Sequence, residues 1–138
     1  MAKTTTVNAL LLPMMGKPSI FTDRCAVCGR VSPLEQHHIV RRSAGKAYDE
    51  AGHELKAPTI TLCGFGNNLS DADGEFYCHG RAHHGLLFFR FVKTVTERTG
   101  ALTDTFTGGH WEFLITEEPT RYQDALAMEG WRSIYERD

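Results

Sequence analysis

The stretch EQHHIV at residues 35–40 places two histidines, His37 and His38, side by side. We predict that it forms a short β-strand, in which neighbouring side chains point to opposite faces. If both imidazoles serve one site, the strand must end or twist at this point. The β-branched, apolar stretch TITLC at residues 59–63 predicts a second strand.

Length and composition indicate one small domain. The 138 residues have the length of a single domain, and 41% of them are hydrophobic, enough for a modest core. The formal net charge of -2 argues against a protein that binds nucleic acid by overall positive charge, although arginines cluster locally. The apolar stretch 9–15 is too short to span a bilayer and no signal peptide is visible, so we expect a cytoplasmic protein without a membrane partner.

The chain divides into an N-terminal segment and one predicted domain. Residues 1–19 have the composition of a flexible arm, and residues 20–138 form the domain, with a motif core at 25–87 and a C-terminal extension at 88–138. Outside the two strands above, the patterns predict a helix at 77–87 that Gly85 could end early, a segment at 88–100 that favours strand, a strand at 110–116 with a hairpin partner at 101–109, and a helix at 120–136.

The cysteines predict a structural zinc site. Cys25 and Cys28 form a CxxC turn, which suits two corners of a tetrahedral site. Cys63 ends a predicted strand and Cys78 precedes a predicted helix, so they could supply the other two ligands across an insert of 14 residues. Reduced thiols in the cytosol favour a metal over a disulfide. Four thiolates leave no open coordination position on the ion, which indicates a structural rather than a catalytic site. The alternative is that the four cysteines are ordinary buried or free thiols that bind no metal.

Histidines predict a second, catalytic metal ion. His79 and His83 are four residues apart and would share one face of a helix, from which His84 diverges. His37 would be the third ligand, and three protein ligands leave positions for water or a phosphate oxygen. His38 would be the general base, because an imidazole titrates near neutral pH. The alternative is that these histidines line a surface or satisfy polar groups of the core.

From CAVCGR through EQHHIVRRSAG and TITLC to CHGRAHHG, residues 25–85 resemble the HNH endonuclease family, the ββα-metal nucleases. The resemblance implies an α+β fold with a ββα-metal (HNH) core and a zinc knuckle, to which the patterns above add a C-terminal β-hairpin and helix. It implies that His37, His79 and His83 hold the divalent ion and that His38 activates water to hydrolyse DNA phosphodiester bonds. The ion could be Mg, Mn, Ni, Co or Zn, and three imidazoles favour a transition metal.

Two features depart from the family pattern. The family's central Asn would fall near Pro58, whereas Asn67 and Asn68 come later in the chain. His53, on the connecting loop, could take part of the role of that Asn. The second departure is the insert at 64–77, between the third and fourth cysteines.

Four basic residues are candidates for contacting DNA phosphates: Arg41, Arg42, Lys46 and Arg81. The alternative is a solvated charged face. Small stand-alone members of the family often come from phages or mobile elements, which suggests packaging or other DNA-processing proteins as partners beside DNA. The rival functions are a non-catalytic zinc-binding module for nucleic acid or protein, and an inactive HNH domain.

Overall fold

A computed structural model describes residues 3–97 and 105–134. Within these ranges the chain forms three antiparallel sheets and two short α-helices, which confirms the predicted α+β class. Neither helix in the described ranges has the length and apolar character needed to cross a bilayer. The strands are β1 (Leu34–His38), β2 (Ala47–Tyr48), β3 (Glu54–Leu55), β4 (Thr59–Cys63), β5 (Leu87–Glu97), β6 (Thr105–Ile115) and β7 (Arg132–Ser133), and the helices are α1 (Cys78–His83) and α2 (Tyr122–Leu126).

The two predicted strands around the histidine pair are confirmed, and they pair with each other. In the antiparallel register of β1 and β4, His37 lies opposite Ile60 and His38 opposite Thr59. Ile60 is fully buried. On the other side of β4, the amide of Ile20 donates to the carbonyl of Thr59 at 2.8 Å. β4 is therefore central and apolar, and it provides a rigid support for β1.

The helix predicted at 77–87 forms only in its first half, as α1. It ends because Gly85 takes a left-handed conformation with φ of +72°, which glycine adopts without steric cost. The amide of Leu86 then donates to the carbonyl of Arg81 at 2.8 Å, the bond of a Schellman motif. This tight stop holds His79 and His83 on one short helix that leads directly into β5.

The first part of the C-terminal extension is a long antiparallel pair of strands, β5 and β6. The strands predicted at 88–100 and 110–116 are confirmed where the structure describes them. The hairpin partner predicted at 101–109 is wrong for residues 105–109, which belong to β6 itself and pair with β5; residues 101–104 lie outside the described ranges. The buried rings of Phe89, Trp111 and Phe113 explain why this aromatic-rich segment forms a sheet on the core.

The helix predicted at 120–136 is wrong beyond α2. Gly130 has φ of +101°, which a continuing helix cannot accommodate. After it, Arg132 lies opposite Phe113 as β7 adds to the edge of β6. Residues 135–136 lie outside the described ranges. The long-range pairing with β6 outweighs the helical pattern of the local sequence.

Residues 3–19, for which the sequence predicts a flexible arm, lie against the core. The amide of Thr6 donates to the carbonyl of Lys46 at 2.7 Å. Met14 and Met15 are buried, and the indole nitrogen of Trp111 donates to the carbonyl of Pro18 at 2.9 Å. Burial of the methionines gives this segment apolar contacts that its proline- and glycine-containing sequence did not suggest.

Candidate metal centres

The four cysteine sulfurs converge where β4 ends and α1 begins. Cys25 and Cys28 come from the turn before β1, Cys63 is the last residue of β4, and Cys78 is the first of α1. All four sulfurs lie within 4.8 Å of one another. The cluster could hold a zinc ion, because four thiolates are a common ligand set of structural zinc sites. The insert at 64–77 leaves the end of β4 and the start of α1 adjacent.

Backbone hydrogen bonds shape the cysteine cluster, and one of them supports negative charge on a sulfur. The CxxC turn closes through a bond of 2.9 Å from the Gly29 amide to the Cys25 carbonyl. The amide of Cys78 donates to the sulfur of Cys63 at 3.2 Å. Hydrogen bonds from neighbouring thiols lower the pKa of Cys25, whereas the same crowding raises the pKa of Cys78. Four sulfurs this close cannot all be ionised without a cation, so the chemistry of the cluster fits a metal.

Three imidazoles form a second cluster. Ring nitrogens of His37, from β1, and of His79 and His83, from α1, lie within 4.8 Å of one another. The Nε2 atoms of His79 and His83 are 3.0 Å apart. Burial, followed by the charges of the other two histidines, lowers the pKa of His37 to about 3. His37 is therefore neutral at physiological pH, which is the form that binds a metal ion.

Glu35, to which the sequence assigned no role, orients His79. Its Oε1 accepts a hydrogen bond of 2.9 Å from Nδ1 of His79 and a second bond from the amide of Gly66. A carboxylate only accepts, so Nδ1 carries the proton and Nε2 is available as a ligand. Residues 35 and 37 share one face of a strand, and this spacing is the signal that could have found Glu35.

A cavity of about 490 Å³ lies beside the imidazole cluster. His38, Arg41 and Arg42 line it together with the three clustered histidines. β1 ends at His38, and both residues of the histidine pair border this one cavity, as the hypothesis for EQHHIV requires. The Nε2 atom of His38 accepts a hydrogen bond of 3.2 Å from Nε of Arg42. The basic nitrogen of His38 is thus already engaged.

Other residues predicted to act at this site lie elsewhere. The ammonium of Lys46 is 3.2 Å from the carboxylate of Glu54. The guanidinium of Arg81 lies 4.8 Å from the ring centroid of Phe76 and borders a different cavity beside the cysteine cluster. His53 is exposed and pairs with an aspartate on its own loop. Of the four basic candidates, only Arg41 and Arg42 line the cavity beside the histidines.

The insert covers α1 with its backbone. The ring of His84 donates to the carbonyl of Asn67 at 3.0 Å, so His84 lies outside the imidazole cluster. A Cβ atom built on Gly80 would lie 2.0 Å from the carbonyl oxygen of Asn68. Asn67 and Asn68 therefore contact α1 through main-chain atoms, and neither lines the cavity.

Comparison with protein-family models, curated proteins and solved structures finds no match to this chain. What supports a function is therefore the arrangement of its own side chains. That arrangement consists of a cluster of four thiols, a cluster of three imidazoles, and a cavity that brings a fourth histidine and two arginines beside the imidazoles.

Proposed function

We propose that this chain is a metal-dependent endonuclease of HNH type that hydrolyses DNA phosphodiester bonds. Its ββα-metal core would consist of β1, β4 and α1. The observation that carries the proposal is the convergence of His37, His79 and His83, whose ring nitrogens lie within 4.8 Å of one another beside an open cavity. Three protein ligands leave coordination positions for water and substrate, as in catalytic rather than structural metal sites.

A structural zinc ion at the four cysteines would support this centre. The cluster joins the turn before β1 to the end of β4 and the start of α1. Cys78 directly precedes His79 and Cys63 lies opposite Leu34, the first residue of β1. Holding the sulfurs together therefore sets the distance between the strand and the helix that carry the imidazoles.

The chemistry assigns separate tasks to the two neighbouring histidines. A divalent ion at the imidazole cluster would supply a Lewis acid for the phosphate and for the leaving 3′ oxygen. His38 would take a proton from water as the water oxygen attacks phosphorus and the bond from phosphorus to the 3′ oxygen breaks. The 3′ oxygen would take a proton from solvent, so the products are a 5′-phosphate and a 3′-hydroxyl. His38 must first release its hydrogen bond with Arg42. A phosphate oxygen is a stronger acceptor for a guanidinium than a neutral imidazole is, so bound DNA would draw Arg42 away and free the base.

A non-catalytic zinc-binding module is the second candidate. It is favoured by the hydrogen bond that occupies Nε2 of His38 and by the presence of Pro58 where the family has its central Asn. Pro58 is fully buried, and its carbonyl accepts a bond of 3.0 Å from the amide of Ile39. For the nuclease, this backbone bond restrains the loop after β1 and could replace the anchoring role of the family's Asn side chain.

Nicking of supercoiled plasmid by the purified chain distinguishes these functions. The protein is incubated with Mg, Mn, Co, Ni or Zn, beside His38→Ala and the matched control His53→Ala, which removes an exposed histidine outside the cavity. We expect nicking that falls about 100-fold or more in His38→Ala, the scale of general base catalysis, and is unchanged in the control. Equal nicking by His38→Ala would remove the base assignment. Absence of nicking with every ion would favour the non-catalytic module.

A further inference from the structure

Much of the cavity wall beside the imidazole cluster is apolar, which hydrolysis of a phosphodiester does not require. The wall combines side chains from the N-terminal segment, the loop after β1, α1, β5 and α2. Its partly exposed apolar members are Leu11, Ile39, Ala44, Ala82, Phe88 and Tyr122. A volume of about 490 Å³ falls within the roughly 300–1,000 Å³ of sites that enclose small organic groups.

Two aromatic rings form part of this wall. The centroids of Phe88 and Tyr122 are 6.3 Å apart, and the ring planes are inclined by 37°. The hydroxyl of Tyr122 donates to the carbonyl of Phe89 at 2.8 Å, which ties α2 to β5 and holds the ring in place. The wall therefore offers a fixed aromatic surface, on which the flat face of another ring can stack.

We propose that this cavity receives one unstacked nucleobase of the strand being cut, so that the protein acts on single-stranded or locally unpaired DNA in preference to continuous duplex. This inference rests on the proposed nuclease function. A phosphate at the imidazole cluster would carry its own nucleoside beside it, and Arg41 and Arg42 line the same cavity where they can neutralise that phosphate. An apolar peptide could contact the apolar wall of the cavity, but it would offer no anion to the guanidinium groups of Arg41 and Arg42.

The preference for unpaired DNA follows from the cost of reaching the cavity. A base within a duplex must leave its stack and its pair before it can enter, and this cost is smallest for a base that is already unpaired. Stacking on Phe88 would use the π-face that all bases share, so little sequence preference is expected. The selectivity would therefore be for DNA structure.

Two readouts test the cavity, with the chain loaded with zinc and supplied with Mn. The first compares cleavage of one oligonucleotide as a single strand, as a perfect duplex and as a duplex with a central bulge. We expect kcat/KM to be roughly tenfold or more higher for the unpaired substrates, the size of one lost or gained stacking contact. The second follows quenching of 2-aminopurine in the single strand on binding to His38→Ala, which holds the strand without cutting it.

Phe88→Leu should bring the preference close to one and abolish the quenching, because it keeps apolar bulk and removes the ring. Phe21→Leu is the matched control, since Phe21 is 74% exposed and does not line the cavity. Ala44→Phe, which fills the cavity from the loop after β1, repeats the test if Phe88→Leu fails to fold by circular dichroism.

The outcomes separate the pocket from the nuclease. Cleavage without strand preference or quenching overturns the nucleobase pocket and leaves the nuclease standing. Quenching that Phe88→Leu or Ala44→Phe abolishes, in a protein that cleaves no DNA, supports the pocket and overturns the hydrolase. The absence of both signals overturns both proposals.

Discussion

Glu35 and His79 share a hydrogen bond of 2.9 Å between a carboxylate oxygen on β1 and Nδ1 of a histidine on α1. The same oxygen accepts the amide of Gly66 from the insert. One carboxylate thus connects the strand, the helix and the insert at the imidazole cluster. It leaves the opposite nitrogen of His79 directed at His83. In metal sites a ligating histidine commonly donates its other ring nitrogen to a carboxylate in this way, which fixes the orientation of the ring.

Glu35→Ala should weaken binding of a divalent ion at the imidazole cluster by about 10- to 100-fold, the usual effect of removing an outer partner of a ligating histidine. Without the carboxylate, the ring of His79 can rotate and exchange tautomers. Titration calorimetry with Ni or Mn on the zinc-loaded protein measures the change. Glu117→Ala, at an exposed position, is the control. Unchanged affinity in Glu35→Ala would show that the ring is held without this contact.

Cys63→Ser should abolish stoichiometric zinc binding and destabilise the fold. Native mass spectrometry is expected to find one zinc per wild-type chain and none in the variant. Loss of about 3 kcal/mol would lower Tm by roughly 10 °C for a domain of this size. Val27→Ser, within the CxxC turn, keeps all four thiols and should keep the metal. Wild-type protein that contains no zinc when purified without chelator would contradict the assignment.

Gly80→Ala should destabilise the contact between α1 and the insert by about 1–3 kcal/mol, as overpacking does. The added methyl group would lie 2.0 Å from the carbonyl oxygen of Asn68 and 2.7 Å from Cα of Leu69, both backbone atoms. Displacement of the insert would also disturb His79, which directly precedes Gly80 in α1. Gly108→Ala is the matched control, since a Cβ there has open space around it. Denaturant unfolding compares the two, and equal stability would show that the insert yields freely.

Stability at acid pH should depend on Glu112. Burial alone would raise the pKa of Glu112, but hydrogen bonds from Arg90, at 2.7 Å, and from His110 outweigh it and lower the pKa below its ordinary value of 4.5. A lowered folded-state pKa means that this stabilisation is present above pH 4.5 and is lost as pH falls through the folded-state pKa. Glu112→Gln should therefore cost about 1 kcal/mol at pH 7 and progressively less as pH falls below 4.5. Thermal melts across this range measure it, with exposed Glu117→Gln as the control; a constant difference between wild type and Glu112→Gln would exclude the titration.

Secondary structure was predictable where the local pattern and the long-range pairing agree. The segment 59–63 has β-branched, apolar residues and lies buried beside β1, so its local preference and its burial favour the same strand. The C-terminal segment shows the opposite case. Its local pattern favours one helix from residue 120 to residue 136. Gly130 interrupts this helix, and Arg132 and Ser133 pair with the edge of β6 instead. Hydrogen bonds to a distant strand are not encoded in the spacing of nearby residues.

The sequence by itself determined which side chains could be ligands. Cys25 and Cys28 lie within one turn, and His79 and His83 within one helical face, so local backbone geometry alone brings each pair together. Only the tertiary structure decided their partners. Glu35 lies 44 residues from His79, yet the two side chains share a hydrogen bond. Arg41 and Arg42 line the cavity whereas Lys46 and Arg81 do not, and only the packing of β1, α1 and β5 shows this difference. The physical reason is that spacing along the chain fixes contacts over a few residues, whereas packing of separate elements fixes the rest.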